Sequence, residues 1–295
     1  MKFICTADWH IRATRPRCRI DENWIETQAK ALRQLAKISD EKNAPIFVVG
    51  DLFHSNSDTS FECINMVQKL ADISGELYIL AGNHDLPYHS SENLDKSAIG
   101  ILLNSESVFE IEHFFEKVIG FEHINYSASN FDKEDNENAE IVFKHVLTIP
   151  EDDKPNFVDC ETPESLLKKF PDAKWIFTGD YHHNFHYEKN GRHVVNSGCL
   201  LRQVADMKDY QCGVYYIDTD ENIVEFIPII DNEQLIDDSY IEKENEREKR
   251  IDDFVNKLKN TQSVSFDFVD NVQKSILVNK FNNDLEDVIN ELMEV

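Results

Sequence analysis

Five short apolar runs in this chain each break off into a polar cluster drawn from the same few residue types. That repetition constrains the fold more than any other feature of the sequence. Residues 2–6 lead into Asp8-Trp9-His10, and residues 46–49 into Gly50-Asp51-Leu52-Phe53-His54. Residues 77–81 lead into Gly82-Asn83-His84-Asp85, residues 140–144 into His145, and residues 174–178 into Gly179-Asp180-Tyr181-His182. Each apolar run has the length of a buried strand. Apolar residues at helical spacing fill the gaps between the first three: Ile25, Ala29, Leu32, Leu35 and Ile38 within 23–41, then Phe61, Ile64, Val67, Leu70 and Ala71 within 59–74. Strands alternating with helices predict an α/β layered domain. In such sheets ligands gather beyond the carboxyl ends of the strands, so clusters spread over more than 170 residues converge on one place. The glycines at three of the exits permit the sharp turns this requires.

The remaining chain reads less regularly. A short helix is expected at 97–104, and residues 108–126 hold two or three strand or strand–helix pieces whose order the pattern leaves open. Residues 131–138 are polar and acidic, a surface loop. A helix over 163–170 follows the cap residue Thr162. Asn190-Gly191 marks a hairpin turn, and residues 218–222 turn a second hairpin between 214–217 and 223–229. Near Asp231 the composition changes. Residues 242–250 are almost entirely charged and continue at helical spacing through Ile251, Phe254, Val255 and Leu258, residues 263–269 alternate like a strand, and residues 285–293 form an amphipathic helix. The expected organisation is a main domain over 1–231 and a small α+β appendage over 232–295.

At 295 residues and 41% hydrophobic content, the chain can build a substantial core. It has no run of about 18 apolar residues, so no membrane span is expected, and its start lacks a signal-peptide pattern. The six cysteines are scattered without C-x-x-C spacing, which argues against a zinc ribbon or a disulfide framework and for a reducing cytoplasm. The formal net charge of −26 repels nucleic acid on average. Basic charge is nonetheless concentrated locally: Arg12, Arg15, Arg17 and Arg19 share one eight-residue stretch just after His10.

Carboxylates and imidazoles together suit Mn²⁺, Fe²⁺ or Zn²⁺ better than an all-oxygen set would. Two such ions about 3.5–4 Å apart clamp the attacking and leaving oxygens of a phosphoryl displacement. Asp51 is the natural residue to lie between them. In order and spelling the five clusters resemble the calcineurin-like metallophosphoesterases, whose pattern runs D-x-H, G-D, G-N-H, H and G-H-x-H. Gly50-Asp51-Leu52-Phe53-His54 followed by Gly82-Asn83-His84-Asp85 resembles more specifically the SbcD-type DNA repair and recombination nucleases, including phage relatives. The resemblance covers about residues 1–230 and implies a sandwich of mixed β-sheets flanked by helices.

Carried over position by position, the resemblance implies one metal held by Asp8, His10, Asp51 and His182, and a second held by Asp51, Asn83, His145 and Asp180. It implies Mn²⁺, or Mg²⁺, as the ion. His84 matches the histidine that protonates the leaving oxygen. His54 matches the position that assists it, where the phosphatase branch has Asp. Asn196-Ser197-Gly198 with Arg202 resembles the loop after the last ligand. Asp180 departs from the pattern, which has His there, and makes the site harder and more anionic. Arg15, Arg17, Arg19 and Arg202 are the candidate substrate contacts. The implied activity is DNA cleavage, endo- or exonucleolytic, with an SbcC-type coiled-coil ATPase as partner and a homodimer as an assembly. Two alternatives remain: a stand-alone phosphatase or nucleotide phosphodiesterase, and a non-catalytic scaffold that has kept the fold. The other histidines, at 89, 113, 123, 183, 186 and 193, read as surface or core residues.

Overall fold

The structure is a computed structural model. It describes residues 1–56, 59–74, 76–119, 125–130, 133–155 and 158–229, with isolated positions at 236, 237, 239, 250 and 251. The chain divides into two compact units, Met1–Ile236 and Asp237–Val295. The elements expected at 242–258, 263–269 and 285–293 lie outside the described residues.

Two mixed sheets carry the first unit. In the first, β1 (Lys2–Thr6), β2 (Ile46–Val49), β3 (Leu77–Leu80) and the two-residue β4 (Phe109–Glu110) run parallel, and the hairpin β10 (Gly213–Asp218) and β11 (Ile223–Pro228) joins antiparallel beside β1. In the second, β5 (Tyr126–Ser129), β6 (Ile141–His145), β7 (Trp175–Gly179) and β9 (Arg192–Asn196) are parallel, with β8 (Phe185–Lys189) antiparallel on the edge. Helices α1 (Trp24–Lys42), α2 (Phe61–Ser74) and α3 (Ala98–Asn104) supply the first sheet's helical layer. The helical turn α4 (Ile111–His113) follows β4, and α5 (Pro163–Lys169) packs against the second sheet.

Alternation along the strands builds the layers. Phe3 and Cys5 of β1, Phe47 and Val49 of β2, Phe143 of β6 and Phe177 of β7 share one core between the sheets. Ile4, Ile46 and Val48 point the other way, toward α1 and α2, and Val142 and Ile176 point toward α5. Strands covered on both faces lose the polar half of the period-two pattern, which is why they read as continuous apolar runs. Local signals end the helices. Asn23 caps α1 by accepting from the Glu26 amide, Asn43 closes it in the left-handed region, and Thr162 and Ser165 cap α5 reciprocally.

Of the region left open in sequence, 108–126, the described residues form β4, α4, a π-helical stretch over Phe114–Ile119 and the start of β5. It carries the chain from the edge of one sheet to the edge of the other. Phe114 and Phe115 are buried in the inter-sheet core, so the apolar residues there belong to helical turns and not to further strands. No helix among the described residues is long and apolar enough to cross a membrane. The six cysteines are free thiols.

Candidate metal centre

The exits of β1 and β2 stay paired beyond the strands. Asp8 N–H is donated to Gly50 O, His10 N–H to Asp51 O, Ile11 N–H to Leu52 O, and His54 N–H back to Ile11 O. This ladder fixes Asp8-x-His10 against Gly50-Asp51 and makes both turns tight. Asp8, His10, Asp51 and Asp180 all adopt left-handed backbone, with φ of 48°, 45°, 53° and 77°. Non-glycine residues are uncommon there, and each costs about 1–3 kcal/mol that the surroundings must hold. Four such residues at strand ends mark the place where backbone strain aims side chains at a shared point.

Asp51 lies between two imidazoles. Its Oδ2 is 3.7 Å from His10 Nε2 and its Oδ1 3.4 Å from His145 Nε2. The His84 amide donates to Oδ1 at 3.0 Å and orients the carboxylate. On the His10 side, His10 Nε2 is 3.1 Å from His182 Nε2, and ligand-type atoms of Asp8, His10 and His182 lie within 4.8 Å of one another. On the other side, His145 Nε2 is 3.0 Å from Asn83 Oδ1, and Asp8, Asp51 and His145 form a second tight group. His145 donates its Nδ1–H to Val49 O at 2.9 Å, which turns Nε2 inward. Asp180 joins through its main chain, its N–H reaching both Asp8 oxygens at 3.1 Å. Two glycines let these groups approach: a Cβ on Gly50 would overlap the His145 ring, and one on Gly82 would overlap the Asp51 carboxylate.

The electrostatics call for cations. Asp8 and Asp51 are buried, and no Lys or Arg among the described residues pairs with Asp8, Asp51 or Asp180. Burial, with Asp51 and Asp180 beside it, pushes the Asp8 carboxyl well up. Burial alone would lower His145, yet Asp51, Asp8 and Asp180 outweigh it and push the imidazole up to about 10. Asp51 is held low despite its burial by His145, His10 and His84. His10 and His182 are lowered, chiefly by burial. Buried carboxylates without a counter-charge are prohibitively costly, and His10 Nδ1 is a buried polar atom with no partner. Divalent metals fit this donor set: they supply the positive charge that the site otherwise draws from a proton on His145.

The structure thus brings together Asp8, His10, Asp51, Asn83, His84, His145 and His182, with Asp180 bonded to Asp8. His54 joins a third group with His10 and His84, ring nitrogens again within 4.8 Å. Its imidazole does not bond His84; the His84 Nδ1–H goes to the His54 main-chain oxygen at 2.7 Å. Burial and the neighbouring Arg12 hold His54 down to about 4, so the ring is neutral and accepts at Nε2 from Arg12.

Two of the expected substrate arginines are corrected. Arg19 is 1% exposed, its guanidinium paired in a fork with Asp21 and donating to Arg202 O. Arg202 is 5% exposed and donates to Lys208 O. Both are consumed by internal bonds and cannot meet a substrate from solution. Arg15 and Arg17 are exposed, with Arg15 donating to Asp21 O.

Sequence reasoning missed the residues that hold the loops. Gln203 donates to Trp9 O and His10 O. Asn196 donates to Tyr181 O and His183 O on either side of His182. Asp85 accepts from the amides of Leu52, Phe53 and Gly82. Each is buried, and single polar residues of this kind carry no periodic signal. Asp85, inside the Gly82-Asn83-His84-Asp85 cluster, and Asn196, inside Asn196-Ser197-Gly198, stood in motifs that pointed to them, though not to these bonds.

No curated protein matches the chain in sequence. Solved structures with a related arrangement include an archaeal phosphodiesterase, 12% identical over 77% of this chain and 99% of its own, TM-score 0.39. A Staphylococcus aureus protein described as a candidate 5′-nucleotidase is 14% identical over 86% of this chain and 58% of its own, TM-score 0.42. A Pyrococcus horikoshii OT3 protein is 14% identical over 84% of this chain and 93% of its own, TM-score 0.42. In sequence, residues 1–196 match the profile of the calcineurin-like phosphoesterases. That span contains every residue of the centre just described, and the chain belongs to the calcineurin-like phosphoesterase family, a family of metal-dependent phosphoester hydrolases.

Proposed function

We propose that this protein is a two-metal-dependent DNA phosphodiesterase, an SbcD-like nuclease subunit working with Mn²⁺ in recombination or repair. The observation that carries the hydrolytic part is the placement of Asp51, one oxygen toward His10 and the other toward His145, with His84 anchored beside it. When bound, two divalent cations supply neutralisation of the phosphoryl oxygens and acidify water. The protein's own groups do the rest. Asp8, His10 and His182 would hold one cation and Asn83, His145 and Asp180 the other, with Asp51, set between His10 and His145, serving both. His84, its Nδ1–H fixed on a carbonyl, presents Nε2 as the proton donor to the departing oxygen.

DNA as the substrate rests on the motif spelling and on the exposed Arg15 and Arg17 just after His10. An SbcC-type coiled-coil ATPase is the proposed partner, with residues 232–295 as its docking module, a homodimer as the assembly and the cytoplasm as the location. A second reading, a phosphodiesterase or phosphatase for small substrates, is favoured by the burial of Arg19 and Arg202 and the net charge of −26. The deciding experiment compares Mn²⁺-dependent cleavage of duplex DNA, single-stranded DNA and bis(p-nitrophenyl) phosphate, with and without a co-encoded coiled-coil ATPase. The nuclease reading expects DNA cleavage, enhanced by the ATPase. Diester hydrolysis with intact DNA under all conditions would leave the second reading.

A further inference from the structure

Arg12 is the arginine of the loop after β1 that the fold turns toward the centre. Its main chain is clamped by Gln28, a fully buried residue of α1: the Arg12 N–H is donated to Gln28 Oε1 at 3.0 Å, and Gln28 Nε2 donates to Arg12 O at 2.8 Å. The preceding residue, Ile11, bridges Phe53, so the two strand exits run side by side and deliver Arg12 next to His54. The guanidinium donates Nη1–H to His54 Nε2 at 2.6 Å. His54 in turn groups with His10 and His84.

Unlike Arg19, Arg12 forms no ion pair with a carboxylate among the described residues. Its side chain is half-buried, and its Nε is buried without a partner. A guanidinium has five N–H donors in a planar fork matched to phosphate, and a single neutral imidazole uses one. A partly desolvated cation with unused donors is costly to keep unless an anion comes to it. The surroundings define the anion. The cation abuts His54, whose ring groups with those of His10 and His84, so an anion that reaches this edge of the centre comes within its range.

We propose that Arg12 is the phosphate anchor of this centre, its guanidinium binding the non-bridging oxygens of the phosphoryl group that undergoes hydrolysis. The inference rests on the phosphoesterase reading and adds a substrate-contacting residue to it. It also separates Arg12 from Arg15 and Arg17: being half-buried against His54, Arg12 serves the reacting phosphate of any phosphodiester, small or polymeric, and not the flanking backbone of DNA.

The test uses the full chain loaded with Mn²⁺ and two probes, inorganic phosphate followed by calorimetry and bis(p-nitrophenyl) phosphate followed by steady-state kinetics. Metal content is counted by mass spectrometry. Arg12→Ala should lower kcat/KM about 10²-fold, the scale of losing one donor to a charged transition state. It should also weaken phosphate binding at least ~10-fold with both metals retained, as expected for loss of charge-assisted bonds. Arg12→Lys, a point charge without the fork, should fall between. Because Arg12 touches His54, both substitutions are repeated in a His54→Ala background, where an anchor keeps its full effect and a residue acting only through His54 loses it. Wild-type phosphate affinity in Arg12→Ala and Arg12→Lys overturns the inference, as does an effect that vanishes without His54, or a wild-type protein that binds no phosphate. A wild-type protein that binds phosphate through Arg12 yet hydrolyses no diester would overturn the proposed activity and leave the anchor standing.

Discussion

The Nδ1–H of His84 is donated to the main-chain oxygen of His54, 2.7 Å away, while the two rings lie 5.6 Å apart and 26° from parallel. A peptide oxygen only accepts and does not titrate near neutral pH. It therefore fixes the His84 tautomer and leaves Nε2 facing the centre, a task given in the phosphatase branch to a carboxylate. The His54 side chain is dispensable for that bond. His84→Gln is expected to lose about 10²–10⁴-fold in turnover with metal content unchanged. His54→Ala keeps the carbonyl and should lose no more than about 10-fold, below the general-acid range. Steady-state rates on a diester, with metal analysis of both variants, check this; equal losses would assign the orienting role to the His54 ring.

Asp85 joins the exits of β2 and β3. Oδ1 accepts from the Phe53 amide at 2.8 Å, and Oδ2 from Leu52 at 3.1 Å and Gly82 at 2.9 Å. Burial and the nearby Asp51 push its carboxyl up to about 7. Asp85→Asn replaces an acceptor with an NH₂ that faces amide donors, leaving buried N–H groups unmatched. The expected costs are about 1–3 kcal/mol of stability and about 10–100-fold in metal affinity, since the clip holds both Asp51 and Asn83. Urea unfolding in chelator and metal titration of the folded variant measure the two separately. A stable variant with unchanged metal affinity would reduce Asp85 to a spectator.

The layered fold and the convergence of the five clusters were legible because each rested on a repeated signal: apolar runs of strand length, helical spacing, and a polar exit of constant composition. What stayed hidden has physical causes. The order of 108–126 could not be read because a two-residue strand and single helical turns are shorter than the periods that would reveal them. The fate of Arg19 could not be read because Asp21, two residues away, looks like any surface acid until Trp24 and Arg202 close around the pair. Charge density in sequence says nothing about which arginine turns inward, and so Arg12, held by Gln28 sixteen positions on, was indistinguishable from its exposed neighbours. The left-handed backbone at Asp8, His10, Asp51 and Asp180 was foreshadowed only by residue type, since Asp and His tolerate that region better than β-branched residues do.

Metal removal should be felt as stability as well as activity. Asp8, Asp51 and Asp180 have no Lys or Arg partner among the described residues, so chelation leaves His145 to neutralise them. A metal present at about 100 times its dissociation constant contributes about 2.7 kcal/mol per site, or roughly 5–10 °C in Tm for a unit of this size. Scanning calorimetry with excess chelator against excess Mn²⁺ removes or fills both sites and should show about twice that shift. Gly50→Ala, whose Cβ would overlap the His145 ring, should shrink it. An identical Tm with and without metal would mean that the carboxylates are neutralised by protons alone.

The Arg19–Asp21 pair should write a distinct signature into the acid limb of stability. Arg19 Nε and Nη2 reach the two Asp21 oxygens at 2.6 and 2.8 Å, Thr27 Oγ1 donates to the same carboxylate at 2.7 Å, and the guanidinium lies 5.0 Å over the Trp24 ring. Burial alone would raise the Asp21 carboxyl, but Arg19 and Thr27 outweigh it and hold it below the ordinary range. A depressed folded-state value stabilises the fold above the unfolded pKa of about 4, and that stability is lost as pH falls through the lower, folded-state value. Asp21→Asn strands a buried guanidinium and should cost about 3–5 kcal/mol at neutral pH. As pH falls from about 4 through the lower, folded-state value the wild-type carboxyl is neutralised too, so the difference between the two proteins should narrow and then close. Urea unfolding of both from neutral pH downward measures the gap directly. A gap that persists undiminished in acid would assign the stability to packing against Trp24 and not to the ion pair.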